Sequence, residues 1–379
     1  MIKGSKELKS NIFVRILGNE KYQPISIPIF SILCGLITIS IVVLILGKNP
    51  FTVFFSLLQG AGILPKSAYA ANSGMLSDFA STLSDMTPLM FAAMSVAVAF
   101  KAGLFNIGVS GQMLAAGFIA TITIGYSNIN GFIAKPLVII IGVLVGAILG
   151  GFLGYLKYRF NINEVVSSIM CNYIFMYIIS FFILTRFVDP VSRQSKSINE
   201  TARLVITSVT LGNLKIDLPV CIILALLIFI FIYILYEKTT LGYEFKSVGL
   251  NIKASKYAGI NVSRRIVLAM VISGALAGLA GVTYYLGYYN SIQPRTLADV
   301  GFNGIAVSLL GNNNPVGIIF SSFLITFIDK GRTYMSSTTG LANEITSLIT
   351  ALILLFCACG NYIKYVVNKR NRLGGQEDV

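Results

Sequence analysis

About ten runs of predominantly apolar residues follow one another along this chain, and that repetition leaves few folds open to it. Inside a hydrocarbon layer no water pairs with the backbone, so every N–H and C=O must be satisfied within the segment, and each run is read as a helix. The runs lie at 26–47, 86–101, 104–124, 134–156, 163–184, 218–236, 266–289, 300–312, 315–329 and 342–365. The fold class is all-α, a polytopic transmembrane helical bundle. The runs at 86–101, 300–312 and 315–329 are short for a full crossing and are expected to be tilted, broken or re-entrant. Composition agrees: 55% of residues are hydrophobic and 12% charged, with a mean hydropathy of +0.79.

The charged residues give the orientation. Lys+Arg number 29 against Asp+Glu 15, a formal net charge of +14. Such an excess suits nucleic acid, but it also suits the cytoplasmic side of a membrane protein, and position separates the two readings. Lys3, Lys6, Lys9, Arg15 and Lys21 precede the first span. Lys238, Lys246, Lys253, Lys256, Arg264 and Arg265 fill the 237–265 loop, and Lys364, Lys369, Arg370 and Arg372 close the tail. With both termini cytoplasmic, these clusters share one side, so no nucleic-acid partner is expected. The chain then reads as a single transmembrane domain over 1–379, with a cytoplasmic segment 1–25, external segments 48–85 and 185–217, the cytoplasmic loop 237–265 and a tail at 366–379. The basic residues of 185–217 fit this scheme least well, although long loops obey the charge rule poorly. Ala68-Tyr69-Ala70 resembles a signal-peptide cleavage site, but it lies well beyond an apolar run too long for such a peptide, so the first helix is expected to stay uncleaved.

Small residues mark packing faces. Gly142, Gly146, Gly150 and Gly154 recur every fourth position, which clears one helical face of side chains. Gly274, Gly278 and Gly281, within SGALAGLAG at 273–281, lie near one face of the seventh run. Cys34, Cys171, Cys221, Cys357 and Cys359 all fall in apolar segments, where no disulfide framework or metal site is expected. The chain has no histidine. It also has no G-x-x-x-x-G-K-[ST] phosphate cradle and no hydrolytic constellation. It is not expected to be an enzyme or to bind a cofactor, and any ATP and Mg would be used by a partner.

Between the sixth and seventh runs lies LGYEFKSVGLNIKASKYAGINVSRR, whose glycines and small apolar residues suggest a structured element on which a soluble partner could dock. With the SGALAGLAGV that follows, it resembles the cytoplasmic loop and next helix of permeases that serve ribose, nucleosides and branched-chain amino acids. GLFNIGVSGQ at 103–112, NEVVSSIMCNYI at 163–174 and GIAVSLLGNNNPVG at 304–317 resemble signatures of the nucleoside and simple-sugar branch, and they occur in the same order. Ser110 departs from the Glu usual there, and Asn312 and Asn313 stand where that branch often has Arg-Asn.

The resemblance implies a permease subunit of an ATP-binding-cassette importer for nucleosides or a related simple sugar. Its partners would be ATPase subunits beneath, a second permease (more readily a paralogue than a copy), and an extracytoplasmic substrate-binding lipoprotein above. The setting would be the cytoplasmic membrane of a prokaryote. The 242–262 loop would carry the coupling helix, with Gly242, Gly249, Asn251, Ala254 and Gly259 as contact or shape residues. Among polar residues in apolar surroundings, Asn106, Gln112, Asn172 and Asn303 have amides suited to ribose hydroxyls and base edges, and Glu164 could bear on transport. Interhelical hydrogen bonding explains the amides equally well, and a helix start explains Glu164. Phe105-Asn106-Ile107-Gly108 and Phe302-Asn303-Gly304-Ile305 echo each other, as an inverted repeat relating spans 2–5 to 7–10 would require. An ion-coupled secondary transporter is the alternative function and a membrane scaffold the third, though the near absence of mid-span acids speaks against the former.

Overall fold

The computed structural model describes residues 23–67, 69, 74–211, 214–342 and 344–374. The basic residues before the first span, Ala68 and Ala70 lie outside them. The helices are α1 (Gln23–Ile45), α2 (Pro50–Gly60), α3 (Met75–Lys101), α4 (Val109–Ala120), α5 (Gly131–Phe160), α6 (Glu164–Phe182), α7 (Cys221–Lys238), α8 (Thr240–Leu250), α9 (Ile252–Tyr257), α10 (Val262–Thr283), α11 (Asp299–Leu310), α12 (Pro315–Thr339), α13 (Glu344–Ala358) and α14 (Gly360–Gly374). Among the described residues six helices are long and apolar enough to cross a membrane, and shorter apolar helices accompany them. The chain is a multi-pass helical membrane protein. The expected ten runs thus resolve into fewer full-length spans and several partial ones.

The differences have physical causes. The 86–101 run is the second half of a 27-residue helix, because the polar stretch before it, with Asp78 and Asp85, finds ionic partners instead of forming a loop. The 315–329 run likewise continues through Asp329, Lys330 and Arg332 to Thr339. The 342–365 run breaks near Cys359 into α13 and α14. The segment 48–85, expected as a loop, contains α2. Segment 185–217 carries the antiparallel hairpin β1 (Ile206–Leu211) and β2 (Leu214–Leu218). Before it, Asp189 closes a turn by accepting from Val191 N at 3.0 Å and Ser192 Oγ at 3.0 Å, which holds its carboxyl below the usual range.

Two compact units make up the chain: one of residues 1–54 with 336–379, and one of 55–335. In the first, α1 packs on α13, where a Cβ on Gly35 would stand 2.9 Å from Ile353 Cα, and Gln23 donates to Asn368 at 2.6 Å. The second unit is built around α3 and α10. Their apolar windows are 83% and 72% buried, against 33% for α5, for α6 and for α7, so these two form the core and the others present aliphatic and aromatic side chains outward. Three helices of this unit end in a wider π turn, at Thr121–Gly125, Ile183–Phe187 and Tyr284–Tyr288.

α4 and α11 are both 12 residues long, and a non-helical segment precedes each. Their first turns meet: Ser110 Oγ donates to the Ala298 carbonyl at 3.0 Å, and a Cβ on Gly301 would collide with Ser110. The close approach leaves no room for a side chain at 301 beside Ser110. Asn312 and Asn313 turn the chain from α11 into α12 with φ of 53° and 52°, a left-handed conformation that asparagine tolerates, and Asn313 Oδ1 accepts from Ser308 Oγ at 2.9 Å.

Candidate functional site

The chain leaves α3 at Lys101 and reaches α4 at Val109 through an unwound segment whose polar backbone must be satisfied inside the unit. Asn106 does much of that. Its Oδ1 accepts from Gly108 N at 3.0 Å, and its Nδ2 donates to Ser273 Oγ at 2.9 Å and to Gln112 Oε1 at 3.1 Å. Ser273 reaches across to α3, donating to the Ser95 carbonyl at 2.8 Å. Asn172 on α6 secures the other side, accepting from Gly111 N at 2.8 Å and donating to the Ile107 carbonyl at 3.0 Å. Asn106, Gln112 and Asn172 are therefore brought together, buried, in one knot that fixes the start of α4. The amides of Asn106 and Asn172 are engaged at both ends. Gln112 Nε2 and the nearby Ser168 Oγ have no hydrogen-bond partner among the described residues.

Asn303 is not part of this knot and lies exposed on α11. Glu164 stands at the first position of α6 and pairs with Lys157 at 2.7 Å, bridging the turn between α5 and α6. An asparagine-to-leucine change separates the two amide environments. Asn106→Leu strips partners from Ser273, Gln112 and the Gly108 N–H, at about 1–3 kcal/mol for each group left unpaired. It is expected to lower the melting temperature and yield of purified protein, whereas Asn303→Leu should accumulate normally; equal, wild-type profiles on size-exclusion chromatography would count against the knot.

At the end of this unit where Lys101 lies, α8 and α9 form a compact elbow. Gly242 lets α8 lie against the last turn of α7, since a Cβ there would collide with the Leu235 carbonyl oxygen. Gly249 does the same against the turn after α3, where a Cβ would collide with the Lys101 carbonyl oxygen and stand 2.9 Å from Gly103 N. Glu244 pairs with Arg265 of α10. Asn251 caps α9 by accepting from Ala254 N at 3.1 Å, and Gly259, at φ +79°, turns the chain out of it. Gly242 and Gly249 are thus packing residues, Asn251 a cap and Gly259 a turn. Ala254 sits on the exposed surface beside Leu250 and Tyr257, 88% and 94% exposed.

At the opposite end of the same unit is a cluster of tyrosines and charges. The wide turn after α10 carries Tyr284, Tyr285 and Tyr288, with Tyr289 directly after it. Ring centroids lie 4.9 Å apart for Tyr284 and Tyr289 and 4.7 Å for Tyr288 and Tyr289. Lys330 Nζ sits 5.2 Å from the Tyr288 centroid and 2.9 Å from Asp85 Oδ2. Sequence reasoning misses this group, because hydropathy assigns Asp85 to a loop and reads the tyrosines as the end of an apolar run. The signal available is YYLGYY itself, a density of amphipathic rings at one span end.

Residues 79–358 match the family model described as branched-chain amino acid transport system / permease component. The chain belongs to this permease family. The nucleoside ABC transporter permease protein NupB of Lactococcus lactis is 35% identical over 95% of this chain and 97% of its own length. The guanosine ABC transporter permease protein NupP of Bacillus subtilis is 33% identical over 94% and 99%. A second Lactococcus permease, the nucleoside ABC transporter permease protein NupC, is 26% identical over 63% of this chain and 76% of its own. No solved structure matches this chain. A member of this permease family is a transporter and not an enzyme. Its described residues hold no group of His, Cys, Asp and Glu able to bind a metal. The glycine stripes meet as a packing face: Gly142, Gly146 and Gly150 of α5 lie against Gly274 and Gly278 of α10, and Gly154 against Met270.

Proposed function

We propose that this permease imports nucleosides across the cytoplasmic membrane of a prokaryote, driven by ATP-binding-cassette subunits that bind and hydrolyse ATP on its cytoplasmic side. The observation that carries the reading is full-length similarity to permeases named for nucleoside and guanosine transport. The elbow of α8 and α9 supports the docking half of it. It is anchored to the bundle along α8, while Leu250, Ala254 and Tyr257 remain uncovered beside Lys253 and Lys256. An apolar tip ringed by lysines fits a cleft in a soluble, partly acidic ATPase surface better than it fits water.

Ion coupling has less support. Three acids inside or near spans are paired, Asp78 with Lys66, Asp85 with Lys330 and Glu164 with Lys157, which leaves those charges balanced. A paralogous partner permease is favoured by the presence of two nucleoside permeases in Lactococcus, each similar to this chain. An extracytoplasmic binding protein would deliver the substrate. The short helices α4 and α11, with first turns in contact, are the pair that an inverted repeat places at the centre of such a pathway.

The test is to co-purify the permease with the products of neighbouring genes, reconstitute it in vesicles, and follow labelled guanosine, uridine, ribose and leucine. Nucleoside uptake that requires ATP and competes among nucleosides only is the expected result. Uptake driven by an ion gradient without ATP, or confined to leucine or ribose, would replace this reading.

A further inference from the structure

The basic residues of 185–217, which the charge rule leaves unexplained, sit on an ordered strap at the end of the unit opposite the coupling elbow. From Val188 to Leu204 the chain crosses the ends of α4, α6 and α10, and each of the three π turns gives it a carbonyl. Phe187 accepts from Lys196 N at 2.8 Å, Gly125 from Asn199 N at 2.9 Å and Leu286 from Leu204 N at 2.9 Å. Ser195 N and Ile198 N donate to the Ile292 and Asn290 carbonyls, each at 3.0 Å, and Gln194 accepts from Ser291 Oγ at 2.6 Å, which joins the strap to the loop before α11. Arg295 N in that loop donates to Ser180 Oγ of α6 at 2.7 Å. Ser195, Ile198, Ala202 and Leu204 are buried on the inner side, while Val191, in the turn closed by Asp189, is 91% exposed.

Over 185–205 and 284–299 five bases face three acids. Arg203 pairs with Glu200, and Asp189 is turned onto Val191 N and Ser192 Oγ. Arg186, Arg193, Lys196 and Arg295 stay exposed, with no ion pair among the described residues. Arg193 and Arg295 also hold left-handed backbone, with φ of 58° and 62°, whereas every other described residue at positive φ is glycine or asparagine. Those two residue types suit such turns better, so arginine there is explained by its side chain and not by its backbone.

We infer that this strap is the seat of the extracytoplasmic binding protein, whose acidic face is received by Arg193, Lys196 and Arg295 around the uncovered Val191. The inference rests on the importer reading of the function and adds the surface and the chemistry of that partner. Exposed bases around an apolar residue steer and orient a protein of opposite charge. The strap lies across helix ends and not along their lipid-facing sides, so these three side chains meet solvent beyond the bundle. Arg186, in the last turn of α6, is the one base at the membrane edge, where an arginine reaching for headgroups is ordinary. Because the strap is bonded to three helix ends, a protein seated on it bears on α4, α6 and α10 together.

The experiment uses the whole importer in phosphatidylcholine nanodiscs and the purified binding protein encoded beside it, freed of its lipid anchor, and reads their Kd as NaCl is raised. Wild-type affinity should fall with salt. Arg193→Asn, Lys196→Gln and Arg295→Asn together should weaken binding about tenfold at low salt and flatten that salt dependence, and should raise the KM of ATP-driven uptake for the binding protein more than they lower kcat. Arg193→Lys should stay within about twofold of wild type. Asparagine suits both left-handed positions, so Arg193→Asn and Arg295→Asn should melt no lower than wild type, and arginines of merely structural role would leave affinity and salt dependence unmoved. A folded triple variant with wild-type affinity, or wild-type binding indifferent to salt, overturns the seat while the import reading stands. A loss of affinity seen only in discs containing phosphatidylglycerol assigns the bases to headgroups and also overturns it. If the triple variant does not assemble, Arg193→Asn and Arg295→Asn decide singly, each expected to weaken binding about threefold. A wild-type importer that neither binds this protein nor drives nucleoside uptake with ATP overturns both.

Discussion

Gly146→Leu is expected to prevent the permease from accumulating as a folded protein, or to lower its melting temperature in detergent by more than any other single change within the 55–335 unit. A Cβ on Gly146 would collide with the Gly274 carbonyl oxygen and stand 2.8 Å from Gly278 Cα, and one on Gly278 would collide with the Gly142 carbonyl oxygen. The obstacles are backbone atoms, which cannot rotate away. α10 is a core helix of its unit, so displacing α5 also disturbs the contacts of α10 with α3 and α4. Overpacking costs about 1–3 kcal/mol where side chains can give, and more is expected where they cannot. Gly151→Ala is the control on the same helix, because its Cβ would meet only the Val271 Cγ2 methyl, at 2.9 Å, and a side-chain methyl can give way. The expectation is a large loss at Gly146 and a small one at Gly151, read by thermal unfolding of the purified protein. Similar melting of both variants would mean that the two helices are not held by close backbone approach.

That contact was legible because a glycine at every fourth position of an apolar helix serves little besides the close approach of another backbone. Other features were hidden for equally physical reasons. Hydropathy treats Asp85 as the end of a membrane segment, since an unpaired acid there would be costly. The residue that changes this, Lys330, is remote in sequence and cannot be seen by any local window. The amides at Asn106, Gln112 and Asn172 stand out as needing partners, but composition does not say whether those partners are ligand or protein. The structure assigns protein partners to both ends of Asn106 and Asn172. Asn303 looked equivalent through its Phe-Asn echo and yet faces outward, because the helical period of α11 turns Gly301 and Gly304 inward instead. The elbow was legible as an element, since its glycines and small apolar residues are more than a solvated loop needs, but only Gly259 is a turn, whereas Gly242 and Gly249, seven residues apart on α8, are close-approach positions.

Gly249→Val is expected to reduce ATP-dependent uptake by about tenfold or more while the ATPase subunits still co-purify with the permease. The reasoning follows the contacts. Gly249 touches the backbone of Lys101 and Gly103, and that turn leads within a few residues to Asn106 and the start of α4. Ser110 in the first turn of α4 then holds Ala298 at the head of α11. A push on the exposed α9 tip can therefore reach both short helices through backbone contacts, provided α8 stays seated on the turn after α3. A valine at 249 has no room there and must lift α8 from that seat, leaving the tip itself unaltered. Ala254→Glu is the complementary change: it alters the exposed tip and leaves the seat intact, so it should weaken ATPase binding itself. Coupling lost with binding kept in one variant, and binding lost in the other, is the pattern that separates transmission from docking. If Gly249→Val imports at the wild-type rate, force does not travel through the Lys101–Gly103 turn, and the ion pair between Glu244 and Arg265 of α10 is left as the route from the elbow into the bundle.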